Sequence, residues 1–197
     1  MEAPGGAGYV ASTGASMSLV RVYLGISLDG RIAGPEDSLD FLHQPGLFPG
    51  ENDPPSEALD FPGLLARTGC MLMGRRTHDV VAGMGQWAYG ELPVLVATTR
   101  PLEPAAPTVR AVSGPIDALV AEARALAGER DVYLDGGALT RSALEAGLVD
   151  ELCLTVIPTL VGPGVALFDG LTKRSDWRFT GVHRYGGMAQ LTAVPRR

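Results

Sequence analysis

Apolar positions fall into separated blocks, and the period inside each block assigns it an element. Leu19 to Ile26 (LVRVYLGI) is almost wholly apolar, as a central strand covered on both faces should be, and Ser27-Leu28-Asp29-Gly30 ends it with a turn signal. Cys70 to Met73 reads as a second buried strand closed by Gly74, and Arg75 to Val81 as a short helix. Pro93 to Ala97 is a third strand, ending at Thr98-Thr99-Arg100-Pro101. Behind Ser113, a good N-cap residue type, Ile116, Leu119, Val120, Ala123 and Leu126 recur at helical spacing. Val132 to Leu134 is a fourth strand. Asp135-Gly136-Gly137 then turns into a helix over Leu139 to Ala146, with Gly147 as the C′ residue. Glu151 to Ile157 is a fifth strand. Residues 33–63 are dense in Gly, Pro, Asp and Glu and predict a long loop with room for one short helix. A loop of that length inside a compact domain is usually functional.

After residue 157 the alternation of strands with helices stops. Trp177 to Arg184 and Met188 to Val194 both alternate with a period of two, and Tyr185-Gly186-Gly187 joins them into a hairpin. The predicted fold is therefore α/β: a single-domain, mainly parallel twisted sheet flanked by helices, with an antiparallel C-terminal hairpin. Residues 1–17 are small, Gly/Ala/Ser-rich and aperiodic, so a flexible tail is expected there and the domain over residues 18–197.

Composition narrows the function classes. Apolar residues at 46% against 19% charged give enough material for a core and exclude a disordered chain. The net charge of −6 argues against a nucleic-acid partner, which calls for a basic footprint. No apolar run is long enough for a membrane span, and the N-terminus lacks the basic start and apolar centre of a signal peptide. Cys70 and Cys153 each sit inside an apolar strand block, which suits two buried thiols in a reducing cytoplasm better than a disulfide.

In an open parallel sheet, ligands sit beyond the carboxyl ends of the strands, so the chemistry is sought just after each one. Gly74-Arg75-Arg76-Thr77 places a glycine, two guanidinium groups and a hydroxyl where a strand becomes a helix, which suits an anion such as phosphate. Spacing alone favours an ordinary solvated first turn. Asp135-Gly136-Gly137 would let a pyrophosphate approach the backbone, or is simply a tight turn needing positive φ. Thr98-Thr99-Arg100 offers a third set of donors on the same rim, or a polar loop. Asp29 in Ser-Leu-Asp-Gly reads first as a turn residue. Asp40, flanked by Leu39 and Phe41, would act as a general acid if half-buried with a raised pKa; a surface charge is the plainer reading. The three histidines are scattered, and there is no H-E-x-x-H, C-x-x-C, G-x-S-x-G, Walker loop or zinc-deaminase signature. Zinc chemistry, triad hydrolysis and P-loop ATP use therefore drop out.

Taken in order, these blocks resemble the dihydrofolate-reductase-like superfamily, specifically the group related to the reductase domain of the riboflavin-pathway deaminase/reductase. The matching segments are Ser27 to Gly34 (SLDGRIAG), Met73 to Thr77 (MGRRT), Pro93 to Thr99 (PVLVATT), Asp135 to Ala138 (DGGA), Gly147 to Leu152 (GLVDEL) and Pro158 to Gly164 (PTLVGPG). The resemblance implies NADPH as cofactor. By it, Gly74, Arg75, Arg76 and Thr77 hold the pyrophosphate and 2′-phosphate, and Thr98, Thr99 and Arg100 assist with the latter. It likewise sets Gly136, Gly137 and Ala138 against the pyrophosphate and nicotinamide, and Ile26, Ser27, Asp29 and Gly30 beside nicotinamide and substrate. It also implies a homodimer. Two departures argue against a phosphoribosylaminopyrimidine substrate: Tyr23 stands where the riboflavin-pathway reductase carries a lysine, and no deaminase half is present. The expected activity is hydride transfer from NADPH to a small, heterocyclic acceptor, with Ser27, Asp29 and Asp40 as catalytic candidates and Asp40 or a water as proton donor. Residues 33–63, with Trp87 and Tyr89, are expected to wall the substrate, a core role for Trp87 being the alternative. A non-catalytic nucleotide- or flavin-binding protein on the same fold is the competing reading.

Overall fold

The computed structural model describes residues 18–50, 53 and 56–196; the tail expected over residues 1–17 lies outside them. The strands are β1 (Val20–Ser27), β2 (Arg31–Ala33), β3 (Thr68–Gly74), β4 (Val94–Ala97), β5 (Val109–Val112), β6 (Asp131–Asp135), β7 (Glu151–Ile157), β8 (Val165–Ala166), β9 (Trp177–Tyr185) and β10 (Met188–Pro195). The helices are α1 (Phe61–Arg67), α2 (Arg75–Gly83), α3 (Ile116–Ala127) and α4 (Gly137–Glu145). Eight strands form one sheet in the order β5-β4-β3-β6-β1-β7-β10-β9, and β2 pairs with β8 apart from it. Pairing is parallel from β5 to β7 and antiparallel for β10 and β9, as the closing period-two segments predict.

The apolar blocks become strands because both sheet faces are covered. One face buries Val20, Val22, Leu72, Leu95 and Leu134 beneath Leu119, Val120 and Ala123 of α3 and Ala143 of α4. The other buries Met71, Met73, Val94, Val96 and Tyr133 against Leu64 of α1 and the aromatic pair Trp87 and Tyr89. Cys70 and Cys153 are free and buried, as their apolar neighbours predict.

Several expectations change. Ser113 does not cap α3: the helix starts at Ile116 behind Pro115, which is extended and has no side-chain acceptor to offer. Gly114 and Pro115 intervene, and proline's fixed φ makes the turn instead. β5 was not expected; its four residues bury only Val109 and Val112, too short a pattern to separate from loop. The segment 33–63 holds two short 3-10 turns, at Pro35–Asp37 and Asp40–Leu42, and the start of α1, whose N-cap Asp60 accepts from the Gly63 amide at 2.8 Å. Trp87 and Tyr89 belong to the core and do not wall the cavity described below. Their rings lie 5.0 Å apart, edge to face, the geometry of aromatic packing.

β1 is pinned at its amino end. Arg21, only 5% exposed, donates to Asp131 on β6 at 3.0 Å and pairs with Glu151 on β7, so one guanidinium ties both flanking strands. Removing it would leave two largely buried carboxylates uncompensated. Arg21→Ala is expected to cost about 3 kcal/mol, the loss typical of breaking a buried pair, read as a lower urea midpoint with an unchanged slope.

Candidate functional site

β1, β3 and β6 are neighbours running the same way, so their carboxyl ends open together. A cavity of about 400 Å³ lies there. Its floor is Tyr23, Leu24 and Gly25 of β1 with Tyr133 and Asp135 of β6. These β1 residues are the only ones in that strand less than fully buried, which is why the strand looks covered throughout by sequence. One end is Gly74, Arg75, Arg76 and Thr77 beside Gly136, Gly137 and Ala138. The remaining wall comes from Ile32, Asp37, Leu39 and Leu42.

Close backbone approach builds that end. Gly136 has φ +105°, and a Cβ there would fall 2.9 Å from Thr77 Oγ1 and 3.2 Å from the Gly74 nitrogen. Only glycine permits both the conformation and the contact. The N-termini of α2 and α4 thereby come together, and neither has a side-chain cap, so their first amides stay available to an anion. Gly25 serves the wall instead: a Cβ would sit 2.6 Å from Leu42 Cδ2.

The guanidinium groups are already held. Arg75 Nε donates to both oxygens of Asp79, at 2.7 and 3.0 Å, and Nη1 to the Pro101 carbonyl at 2.6 Å. Arg100 reaches within 3.9 Å of Asp79, which places the loop after β4 beside α2 although Thr98, Thr99 and Arg100 do not line the cavity. Arg76 Nε donates to Asp37 Oδ2 at 2.5 Å.

The buried acid is Asp135, which sequence reading treated only as part of a turn. Burial pushes its carboxyl up to about 6, against the opposing pull of hydrogen bonds from the Tyr133 hydroxyl and the Gly136 amide. Tyr133 Oη lies 2.8 Å from Asp135 Oδ2 and 3.1 Å from the Tyr23 carbonyl. Two acceptors for one hydroxyl proton satisfy both states of the acid. The hydroxyl donates to the carboxylate when Asp135 is ionised and to the carbonyl when Asp135 is protonated. The alternation of Tyr133 and Asp135 at the end of an apolar strand was the available signal.

The other acidic candidates are placed differently. Asp40 is exposed and outside the cavity lining, so the half-burial expected of it is missing. It opens a 3-10 turn whose apolar neighbour Phe41 turns inward without it. Asp29 accepts from Ser27 Oγ at 2.6 Å and from the amides of Val161 and Gly162 at 3.0 and 2.7 Å. These bonds, the Ser27 hydroxyl first, hold its carboxyl well below the usual range. Ser27 Oγ also accepts from the Arg31 amide at 2.8 Å. Both side chains are occupied in fixing the turn after β1. Neither they nor Ile26 line the cavity.

With this geometry in place, comparison with known proteins is informative. The RibD C-terminal domain model matches residues 18–191, and the chain belongs to that family. It is 29% identical over 175 residues to the uncharacterized protein YwjB of Bacillus subtilis (strain 168), covering 88% of this chain and 95% of YwjB. A Shewanella sp. PV-4 protein, provisionally named for riboflavin biosynthesis, superposes with a TM-score of 0.77 at 30% identity, over 91% of this chain and 99% of that one. Dihydrofolate reductase from Enterococcus faecalis, complexed with NADP(H), gives 0.58 at 15% identity over 92% and 98%. The fold is thus dihydrofolate-reductase-like. Among the described residues no helix is long and apolar enough to cross a membrane, and no cluster of metal-ligating side chains occurs.

The raised Asp135 pKa has a measurable sign. The folded state holds this proton more tightly than the unfolded chain, whose Asp titrates near 3.8. Its contribution to stability is fully present below about pH 4 and is lost as pH rises through about 6. Urea unfolding of wild type and Asp135→Asn across this range should show wild type losing about 2–3 kcal/mol relative to the variant from pH 4 to pH 7. A pH-independent difference would place the Asp135 carboxyl in an ordinary environment.

Proposed function

We propose that this chain is an NADPH-dependent reductase that transfers a hydride to a small heterocyclic acceptor of the pterin or pyrimidine kind. One observation carries the reading: two uncapped helix N-termini and two arginines gather at one end of a largely apolar cavity whose floor holds a buried, protonatable carboxyl. The cradle suits a nucleotide phosphate, since the N-termini of α2 and α4 converge there without side-chain caps. NADP(H) is the ligand of the Enterococcus faecalis enzyme that shares this fold.

In this reading the amides of Gly137 and Ala138, with Thr77 and the close-set backbones of Gly74 and Gly136, bind the pyrophosphate. Arg75 and Arg76 supply charge-assisted donors to phosphate oxygens. Thr98, Thr99 and Arg100 extend the same rim toward the adenosine 2′-phosphate. When bound, NADPH supplies the hydride. Asp135 replaces Asp40 as the proton donor, because it is the buried acid on the cavity floor and a pKa near neutrality suits general acid work. Tyr133 orients it. Leu39 and Leu42 exclude water from the wall. Tyr23 offers no cation in place of the family's lysine; its hydroxyl donates to the Leu59 carbonyl at 3.0 Å. That favours an acceptor without a phosphate at this end.

A homodimer fits the far edge of the sheet. Leu154, Leu191 and Val182 lie in cross-strand register on β7, β10 and β9, and Val182 is 66% exposed beside an exposed Phe179. Such an apolar edge asks for cover. The free buried thiols suit a reducing cytoplasm.

NADPH and NADH binding, followed by nucleotide fluorescence, tests the reading. Wild type should prefer NADPH, and Arg75→Ala should weaken it by about 1.5–3 kcal/mol while costing NADH much less. Absence of binding at millimolar nucleotide would end the cofactor assignment. Binding without oxidation by any pterin, flavin or pyrimidine acceptor would favour a non-catalytic binding protein. Light scattering on Val182→Asp should report a monomer where wild type is a dimer; an unchanged mass would move the interface elsewhere.

A further inference from the structure

The Pro35–Asp37 turn is built against backbone preference. Glu36 and Asp37 both have positive φ, at +54° and +63°, and two consecutive non-glycine residues in that region are rare. The turn closes on itself through Gly34 N to Ser38 O at 2.8 Å and Ser38 N to Pro35 O at 3.0 Å. Its outcome is to bring Asp37, three-quarters buried, onto the largely exposed side chain of Arg76 on the cavity lining. The same segment carries Leu39 and Leu42 of the cavity wall. That carboxylate takes the Nε donor of Arg76 and neutralises part of the charge that a phosphate at the same place would use.

Resting on the cofactor reading above, we propose that Asp37 is an internal competitor for the anion site. Its carboxylate occupies Arg76 until a ligand phosphate displaces it, and displacement frees the 34–42 wall over the acceptor end of the cavity. The ion pair is the element with two arrangements, and phosphate and carboxylate bias it in opposite directions. Phosphate binding at one end is thereby linked to opening at the other, so the nucleotide binds before the acceptor. Asp37 acts through Arg76 and is a positioning residue.

The test compares wild type, Asp37→Asn, Arg76→Ala and the double variant for binding of NADPH and of inorganic pyrophosphate. Asparagine tolerates the left-handed conformation, so Asp37→Asn removes the charge while keeping the turn. The expected result is about two- to fivefold tighter binding of both ligands by Asp37→Asn, the size of a partly exposed ion pair. In the Arg76→Ala background the same change should give no gain, because nothing is left to compete for. An equal gain in both backgrounds would mean that Asp37 acts only as a distant negative charge and would overturn the proposal, as would no gain in either. Hydrogen exchange supplies a readout free of activity. The amides of Gly34, Ser38 and Leu42 should lose protection when NADPH binds wild type, and retained protection would also overturn it. If wild type binds nucleotide and Asp37→Asn gains nothing, only this inference fails. If neither binds pyrophosphate or NADPH at millimolar concentration, the cofactor reading fails with it.

Discussion

The cavity depends on two backbones meeting without side chains. Where β3 and β6 end, Gly136 lies so close to Gly74 and Thr77 that a methyl group on Gly136 would push against both. Because they touch, the first turns of α2 and α4 stand side by side, and two sets of unpaired amides share one small space. Helix dipoles that would otherwise be spread over the sheet edge act together at this point. Arg75 is held there in turn by Asp79 and the Pro101 carbonyl. Charge, amides and shape are therefore preorganised by packing, with little left for a ligand to order.

The floor of the cavity follows another logic. Its polar group is a lone carboxyl taken out of water, with a tyrosine positioned to serve it in either protonation state. Elsewhere Asp29 accepts from the amides of Val161 and Gly162 and so ties the 160s loop to the turn after β1. A permanently charged, fully bonded acid holds the frame, while a reluctantly charged one faces the space where chemistry would occur.

What was legible in the sequence was local. The parallel strands, the closing hairpin and the glycine-rich turns at residues 74 and 136 rest on nearest-neighbour patterns, and they hold. Gly147 ends α4 with φ +67°, as a C′ glycine should. The misreadings concern burial, which depends on partners far along the chain. Asp40 and Asp135 both follow apolar residues, yet one faces solvent and the other is enclosed, because Tyr23 and Tyr133 come from strands more than a hundred residues apart. Trp87 and Tyr89 looked like a substrate wall because they follow α2; they were drawn inward because the sheet face beneath them needed cover. Asp37 was hidden for another reason: positive φ at a charged residue leaves no mark in composition.

The position of β1 also governs how the molecule can be made. The first strand is the centre of the sheet, and its partners β6 and β7 start at Asp131 and Glu151. The Val20 amide finds its acceptor on Asp150, 130 residues later. At the pace of a ribosome that gap takes on the order of ten seconds. Throughout it an apolar strand has left the exit tunnel with no neighbour to pair with. Assembly of the centre therefore waits for strands made much later, and contacts of such long sequence separation slow folding. The time β1 spends unpaired, and with it the chance of wrong association, therefore lengthens as translation slows.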